Sequence, residues 1–116
     1  MKQPPLSSPV KSVRWDKDVA VVEVVGDIDL NYSQALQQSL LTLLDSRPRR
    51  IVINLGGVPY MDSSGVASLV KLLSRARKMG STIALVAMQD RVRSVFEITR
   101  LDSVFDIHAT EAEAMS

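Results

Sequence analysis

A chain of 116 residues holds one compact domain with a single core. A formal net charge of +1 argues against nucleic acid or a membrane surface held by bulk electrostatics, and the lack of cysteine removes disulfides, thiolate metal sites and cysteine nucleophiles. No segment approaches the roughly 20 apolar residues of a membrane span, and MKQPPLSSPV has no apolar run fit for a signal peptide, so the expectation is a soluble, cytoplasmic protein.

Residues 1–9 carry three prolines and two serines and read as a flexible lead-in; residues 10–116 form the domain. KSVRW (11–15) alternates, with Val13 and Trp15 on one face, and Asp16-Lys17-Asp18 separates it from the apolar run VAVVEVV (19–25). These are two strands of a hairpin, the second central and buried on both faces. Gly26-Asp27-Ile28-Asp29-Leu30-Asn31 breaks the strand. Residues 32–46 then show Leu36, Leu40, Leu43 and Leu44 at helical spacing, with Asn31 or Ser33 as candidate caps. RRIVINL (49–55) is a buried strand, and the loop GGVPYMD leads to a helix over 64–79 closed by Gly80. STIALVAM (81–88) is a third apolar strand. Asp90 caps RVRSVFEIT (91–99), with Val92, Val95, Phe96 and Ile98 as its stripe. VFDIH (104–108) is a short edge strand, and 110–116 a helical turn or frayed tail. Strands separated by single helices pair in parallel through right-handed crossovers. The order predicts an α/β domain: a mixed, mostly parallel sheet with an N-terminal hairpin, packed by helices.

Most enzyme chemistry is missing from the pattern. The lone His108 reads as a partly exposed strand-end residue, and one His with no Cys cannot build a His/Cys metal cluster. LGGVPY (55–60) lacks the Gly-Lys-Ser/Thr of a phosphate loop, and Asp-Ser-Ser-Gly is not a Gly-x-Ser-x-Gly elbow. No base stands near the serines in sequence. The expectation is a non-enzyme with no cofactor and no metal.

What remains is YMDSSGVASL (60–69). With Val66, Leu69, Val70 and Leu73 as the apolar stripe of the following helix, Ser63 extends that stripe inward. Ser64 then opens a solvent-facing row with Ser68, Lys71, Arg75 and Lys78. This wheel makes Ser64 the accessible hydroxyl and Ser63 the more buried one. Gly65 costs about 1 kcal/mol of helix propensity relative to Ala and leaves room beside the hydroxyl. A helix N-terminus also tolerates phosphate. The residues alone leave capping by Asp62 or a serine, and modification of a serine, as equal readings.

VINLGGVPYMDSSGVASLVKLLSRARKMGSTIALVAM (52–88) resembles the central part of a STAS domain, specifically of bacterial anti-sigma factor antagonists. GDIDL (26–30) resembles that family's Gly-Glu-Leu-Asp segment, with Asp27 for Glu, and 91–107 its final helix and strand; Val66 stands where Leu is common. The resemblance implies an unmodified protein that binds an anti-sigma factor with serine kinase activity and so frees a sigma factor. Phosphorylation of the serine before the Gly, matching Ser64, breaks the complex, and a PP2C-type phosphatase restores it. The alternative it implies is a scaffold or accessory module of a stressosome or lipid-transport complex. The corner and the 26–29 loop both follow the C-terminal ends of strands expected to run parallel, so the predicted partner surface combines Asp27 and Asp29 with Asp62, Ser63, Ser64 and Gly65, and the row Ser68, Lys71 and Arg75. Nucleic acid and membrane are not expected as direct partners.

Overall fold

A computed structural model describes residues 8–115. The elements are β1 (Val10–Asp16), β2 (Val19–Val25), α1 (Leu30–Leu44), β3 (Arg50–Gly57), α2 (Ser63–Lys78), β4 (Thr82–Val86), α3 (Asp90–Ile98), a 3-10 turn at Leu101–Ser103, β5 (Asp106–His108) and α4 (Glu111–Met115). The five strands lie in sequence order across one sheet. β1 pairs antiparallel with β2, and β2–β3, β3–β4 and β4–β5 are parallel, as the predicted hairpin and crossovers require.

Period-two alternation divides the strands between two faces. Ala20, Val22, Val24, Ile51, Ile53, Leu55, Ile83 and Leu85 share one buried core with Leu36 and Leu40 of α1, Leu69 and Leu72 of α2, and Phe96 of α3. Phe96 meets Phe105 edge to face, with ring centroids 5.6 Å apart. On the other face Val19, Val21, Val52, Ala84 and Val86 pack around Ala114 of α4. Fully burying each large aliphatic side chain contributes about 1.5–3 kcal/mol, so the larger core dominates stability.

Several boundaries differ from expectation. α1 starts at Leu30, capped by Asp29, whose carboxylate accepts from Asn31 N at 2.9 Å; neither Asn31 nor Ser33 is the cap, and Ser33 is buried inside the helix. Asp90 lies within α3 rather than capping it. Gln89 holds the cap position without a side-chain bond to the helix, its amide donating instead to the Gly56 carbonyl at 2.9 Å. Ile98 is 82% exposed, so the α3 stripe is Val92, Val95 and Phe96. β4 ends at Val86, where Ala87 takes φ +62°. Gly80 follows α2 with φ +77°, the left-handed conformation expected of it. Of the lead-in, residues 1–7 lie outside the described residues; Pro9 is buried and its carbonyl accepts from Val25 N at 3.0 Å. Among the described residues no helix is long and apolar enough to cross a membrane.

Candidate functional site

Where parallel strands end, the chain leaves the sheet and its polar backbone needs new partners. After β2 and β3 the two loops pair with each other. Gly26 N donates to the Gly57 carbonyl (2.9 Å), Ile28 N to the Tyr60 carbonyl (2.9 Å) and Asp62 N to the Ile28 carbonyl (3.1 Å). Ile28 and Met61 form an isolated parallel bridge, both side chains fully buried. This strip brings the Gly26–Asp29 loop and the Asp62–Gly65 corner together at the C-terminal edge of the sheet, the usual place for sites in parallel α/β sheets. The starts of α1 and α2 lie here, capped by Asp29 and Asp62.

Asp62 is the centre of the corner. Its Oδ1 accepts from Ser64 N at 2.9 Å, Gly65 N at 3.2 Å and the Ser64 hydroxyl at 2.5 Å. The Ser64 hydroxyl is the main cause that holds this carboxyl below its ordinary range. Burial opposes the shift, and the backbone N–H groups of Gly65, Ser64 and Leu30 reinforce it. Of the two alternatives in the sequence, capping by Asp62 is present, and the Ser64 hydroxyl belongs to the same hydrogen-bonded unit.

The exposure of the serines is the reverse of the helix-wheel expectation: Ser63 is exposed and Ser64 is half-buried. Ser68 is also not in a solvent-facing row. It is 5% exposed, and its hydroxyl lies 3.1 Å from the Ser33 carbonyl and 3.0 Å from the Ser64 carbonyl. The buried side of α2 is Gly65, Val66, Ser68, Leu69, Leu72, Leu73 and Ala76, while Val70 is 38% exposed. The stripe is therefore rotated by roughly 70° from the expected one, at about 100° per residue. Small residues cause the shift, because α1 approaches α2 closely where Ser33 and Ser68 meet. Gly65 has the same kind of role. A Cβ there would stand 2.6 Å from Met61 Cγ and 2.8 Å from Ile28 Cγ2, so the glycine admits the bridge beneath it rather than clearing space around the hydroxyl.

Lys71 and Arg75 are exposed on α2, about 10 and 16 Å along the axis from Ser64 at 1.5 Å per residue. Asp27 is exposed and Asp29 half-buried. Among the described residues none of Asp27, Asp29 and Asp62 forms an ion pair. Leu30 and Tyr60 stand 77% and 43% exposed at the same corner, outside the residues expected there from the sequence. Their signal was present as large apolar residues in otherwise polar loops. His108 is a half-buried strand-end residue whose Nε2 lies 2.8 Å from Asp106 Oδ1, away from the corner.

A STAS domain model matches residues 11–114. An anti-sigma-B factor antagonist of Staphylococcus aureus (strain NCTC 8325 / PS 47) is 30% identical over 93 residues, 79% of this chain and 86% of that protein. The crystal structure of an anti-sigma factor antagonist from Mycobacterium paratuberculosis superposes with TM-score 0.84 at 26% identity, covering 97% of this chain and 96% of that one. The Bacillus cell fate determinant SpoIIAA in its phosphorylated form shares the fold, with TM-score 0.69 at 21% identity over 90% of this chain and 95% of its own. By sequence and by architecture alike, this chain belongs to the STAS domain family.

Proposed function

We propose that this protein is an anti-sigma factor antagonist. Its unmodified form binds an anti-sigma factor that is also a serine kinase, and phosphorylation of Ser64 ends that binding until a PP2C-type phosphatase reverses it. The observation that carries the reading is the Ser64 hydroxyl itself, fixed at the start of α2 beside a carboxylate with no cationic partner. The names of the S. aureus and M. paratuberculosis relatives support the same role. Leu30 and Tyr60 supply apolar contact area, and Asp27, Asp29, Asp62, Lys71 and Arg75 supply charge around it. Ser63 and Gly65 shape the corner, while Ser68 contributes by packing α1 on α2.

Electrostatics make the switch. A phosphate brings about −1.5 to −2 charge at neutral pH. Placed on Ser64 it joins carboxylates that already lack counter-ions. In the free protein, water and the N-terminus of α2 accommodate that charge. In a docked interface the same charge loses its water, and an unpaired buried charge costs several kcal/mol. The fold is not required to change. A pull-down from native-host extract with wild type and Ser64→Asp tests this. Wild type retains an anti-sigma kinase and Ser64→Asp does not; equal retention by both removes Ser64 from the mechanism, and retention only of transporter or scaffold subunits replaces the reading.

A further inference from the structure

Access alone favours Ser63 over Ser64 as a target, since Ser63 is exposed and Ser64 half-buried. Asp62 distinguishes the two in the opposite sense. Its Oδ1 takes the Ser64 hydroxyl at 2.5 Å, and none of its hydrogen bonds goes to Ser63. We infer that Asp62 is the positioning residue that selects Ser64, rather than its more exposed neighbour, for phosphoryl transfer. This rests on the reading of Ser64 as the phosphoacceptor.

A serine hydroxyl has one proton and two acceptor lone pairs. With the proton committed to Asp62, the Ser64 lone pairs face away from the carboxylate and toward an incoming phosphorus. The side chain is held in one rotamer before the partner arrives, whereas a hydroxyl without such a bond must be ordered during the encounter. In the transfer, Ser64 Oγ bonds to the γ-phosphorus of a nucleoside triphosphate carried by the kinase. The bond from that phosphorus to the bridging oxygen breaks, and the nucleoside diphosphate leaves with the bonding pair. The hydroxyl proton departs along its existing hydrogen bond to Asp62 Oδ1 and passes to solvent. Asp62 is suited to receive that bond at neutral pH, because the Ser64 hydroxyl and the N–H groups of Gly65, Ser64 and Leu30 outweigh burial and keep its carboxyl ionised. After transfer no proton remains between the two oxygens, and Asp62 faces an anion. The interaction that presents the hydroxyl becomes one that pushes the phosphate outward.

Wild type, Asp62→Asn and Asp62→Ala are each incubated with ATP and the kinase fraction of a native-host extract, and the phosphate is mapped and counted by mass spectrometry over a range of protein concentrations. Asn retains an oxygen that caps the helix and accepts the Ser64 hydroxyl but cannot take its proton, so Asp62→Asn keeps the fold by circular dichroism, a KM near wild type and phosphate on Ser64, while kcat falls by about tenfold or more. Asp62→Ala has no acceptor, and its phosphate spreads onto Ser63. Wild-type kcat in Asp62→Asn overturns the proton path to Asp62, and an Asp62→Ala protein that remains folded and modified only at Ser64 overturns the selection of Ser64 by Asp62. Phosphate mainly on Ser63 of wild type, or none on wild type, overturns the reading of Ser64 together with the inference.

Discussion

The Ser64 corner and the α4 face of the sheet use carboxylates in opposite ways. On the α4 face the acidic groups are matched. Glu111 takes Arg14 at 2.9 Å and the Asn54 amide at 2.7 Å, tying α4 to β1 and β3. Asp106 is paired with Arg50 and with His108, and Arg50 also donates to the Ala114 carbonyl at 2.9 Å and to Thr82 Oγ1 at 3.0 Å. Among the described residues the corner has no such cation. Asp62 is satisfied only by N–H groups and one hydroxyl. Matched charge holds a short helix in place and resists perturbation. Unmatched charge beside a modifiable hydroxyl makes the local field sensitive to one added anion. The fold thus separates a region of matched charge from a region of unmatched charge.

Substitutions sharpen this division. The largest stability loss is expected at Gly65→Val, because the first added carbon already collides with Met61 and Ile28. Overpacking of this kind costs about 1–3 kcal/mol, visible as a drop of several degrees in Tm. A Tm equal to wild type would show that the strip beneath the corner yields easily. Glu111→Ala removes the ties of α4 to Arg14 and Asn54 and costs about 1 kcal/mol. Faster amide exchange should appear at residues 111–115, with partner affinity unchanged. Weaker partner binding would mean that the α4 face is not separate from the corner.

Acid dependence follows from the same groups. The Asp62 carboxyl is lowered chiefly by Ser64. Burial is the largest influence on Asp106 and raises it, but the bonds and charges of Arg50 and His108 outweigh burial and lower it. Glu111 is lowered first by Arg14, then by Asn54. Each has a folded pKa below its unfolded value of about 4, so its contribution is present above that value and is lost as pH falls through the folded one. Urea unfolding between pH 2 and pH 7 should show stability falling on the acid side. Glu111→Gln, Asp106→Asn and Asp62→Asn should each flatten that limb; an unchanged limb in all three would remove these carboxyls as its cause. The smallest stability effect belongs to Lys71→Ala and Arg75→Ala, within about 0.5 kcal/mol. They should weaken partner binding modestly, and more at low salt than at high salt. Loss of folding would instead make these residues structural.

The parts of this architecture legible in the sequence are those whose signal is local. VAVVEVV and RRIVINL are strands because few other arrangements bury such runs, and Gly80 marks a helix end because little else fits a φ of +77°. The rotation of α2 was hidden because Gly65 and Ser68, which hydropathy does not count as core, are buried, Gly65 over the Ile28–Met61 bridge and Ser68 against Ser33 of α1. Asp29, Asn31 and Ser33 are all capping types, and the choice among them falls where the Ile28–Met61 bridge fixes the entry to α1, a contact across 33 residues. The docking of α4 depends on Arg14, Arg50 and Asn54, far away in the chain, so a tail with no clear period gave no hint of it. The residues that make up the corner stand together in the sequence, because Asp-Ser-Ser-Gly is contiguous. The arrangement of its hydroxyls was not readable there, because it depends on that rotation.

The central claim is that a neutral Ser64 hydroxyl is the binding-competent state. The direct test is calorimetric titration of the purified anti-sigma partner with protein carrying phosphoserine at position 64, and with the same sample after phosphatase treatment. The account predicts binding weaker by about a hundredfold or more in the phosphorylated form, equivalent to about 2.8 kcal/mol, with full affinity restored by dephosphorylation and the same circular dichroism throughout. Equal affinity of the two forms would contradict it.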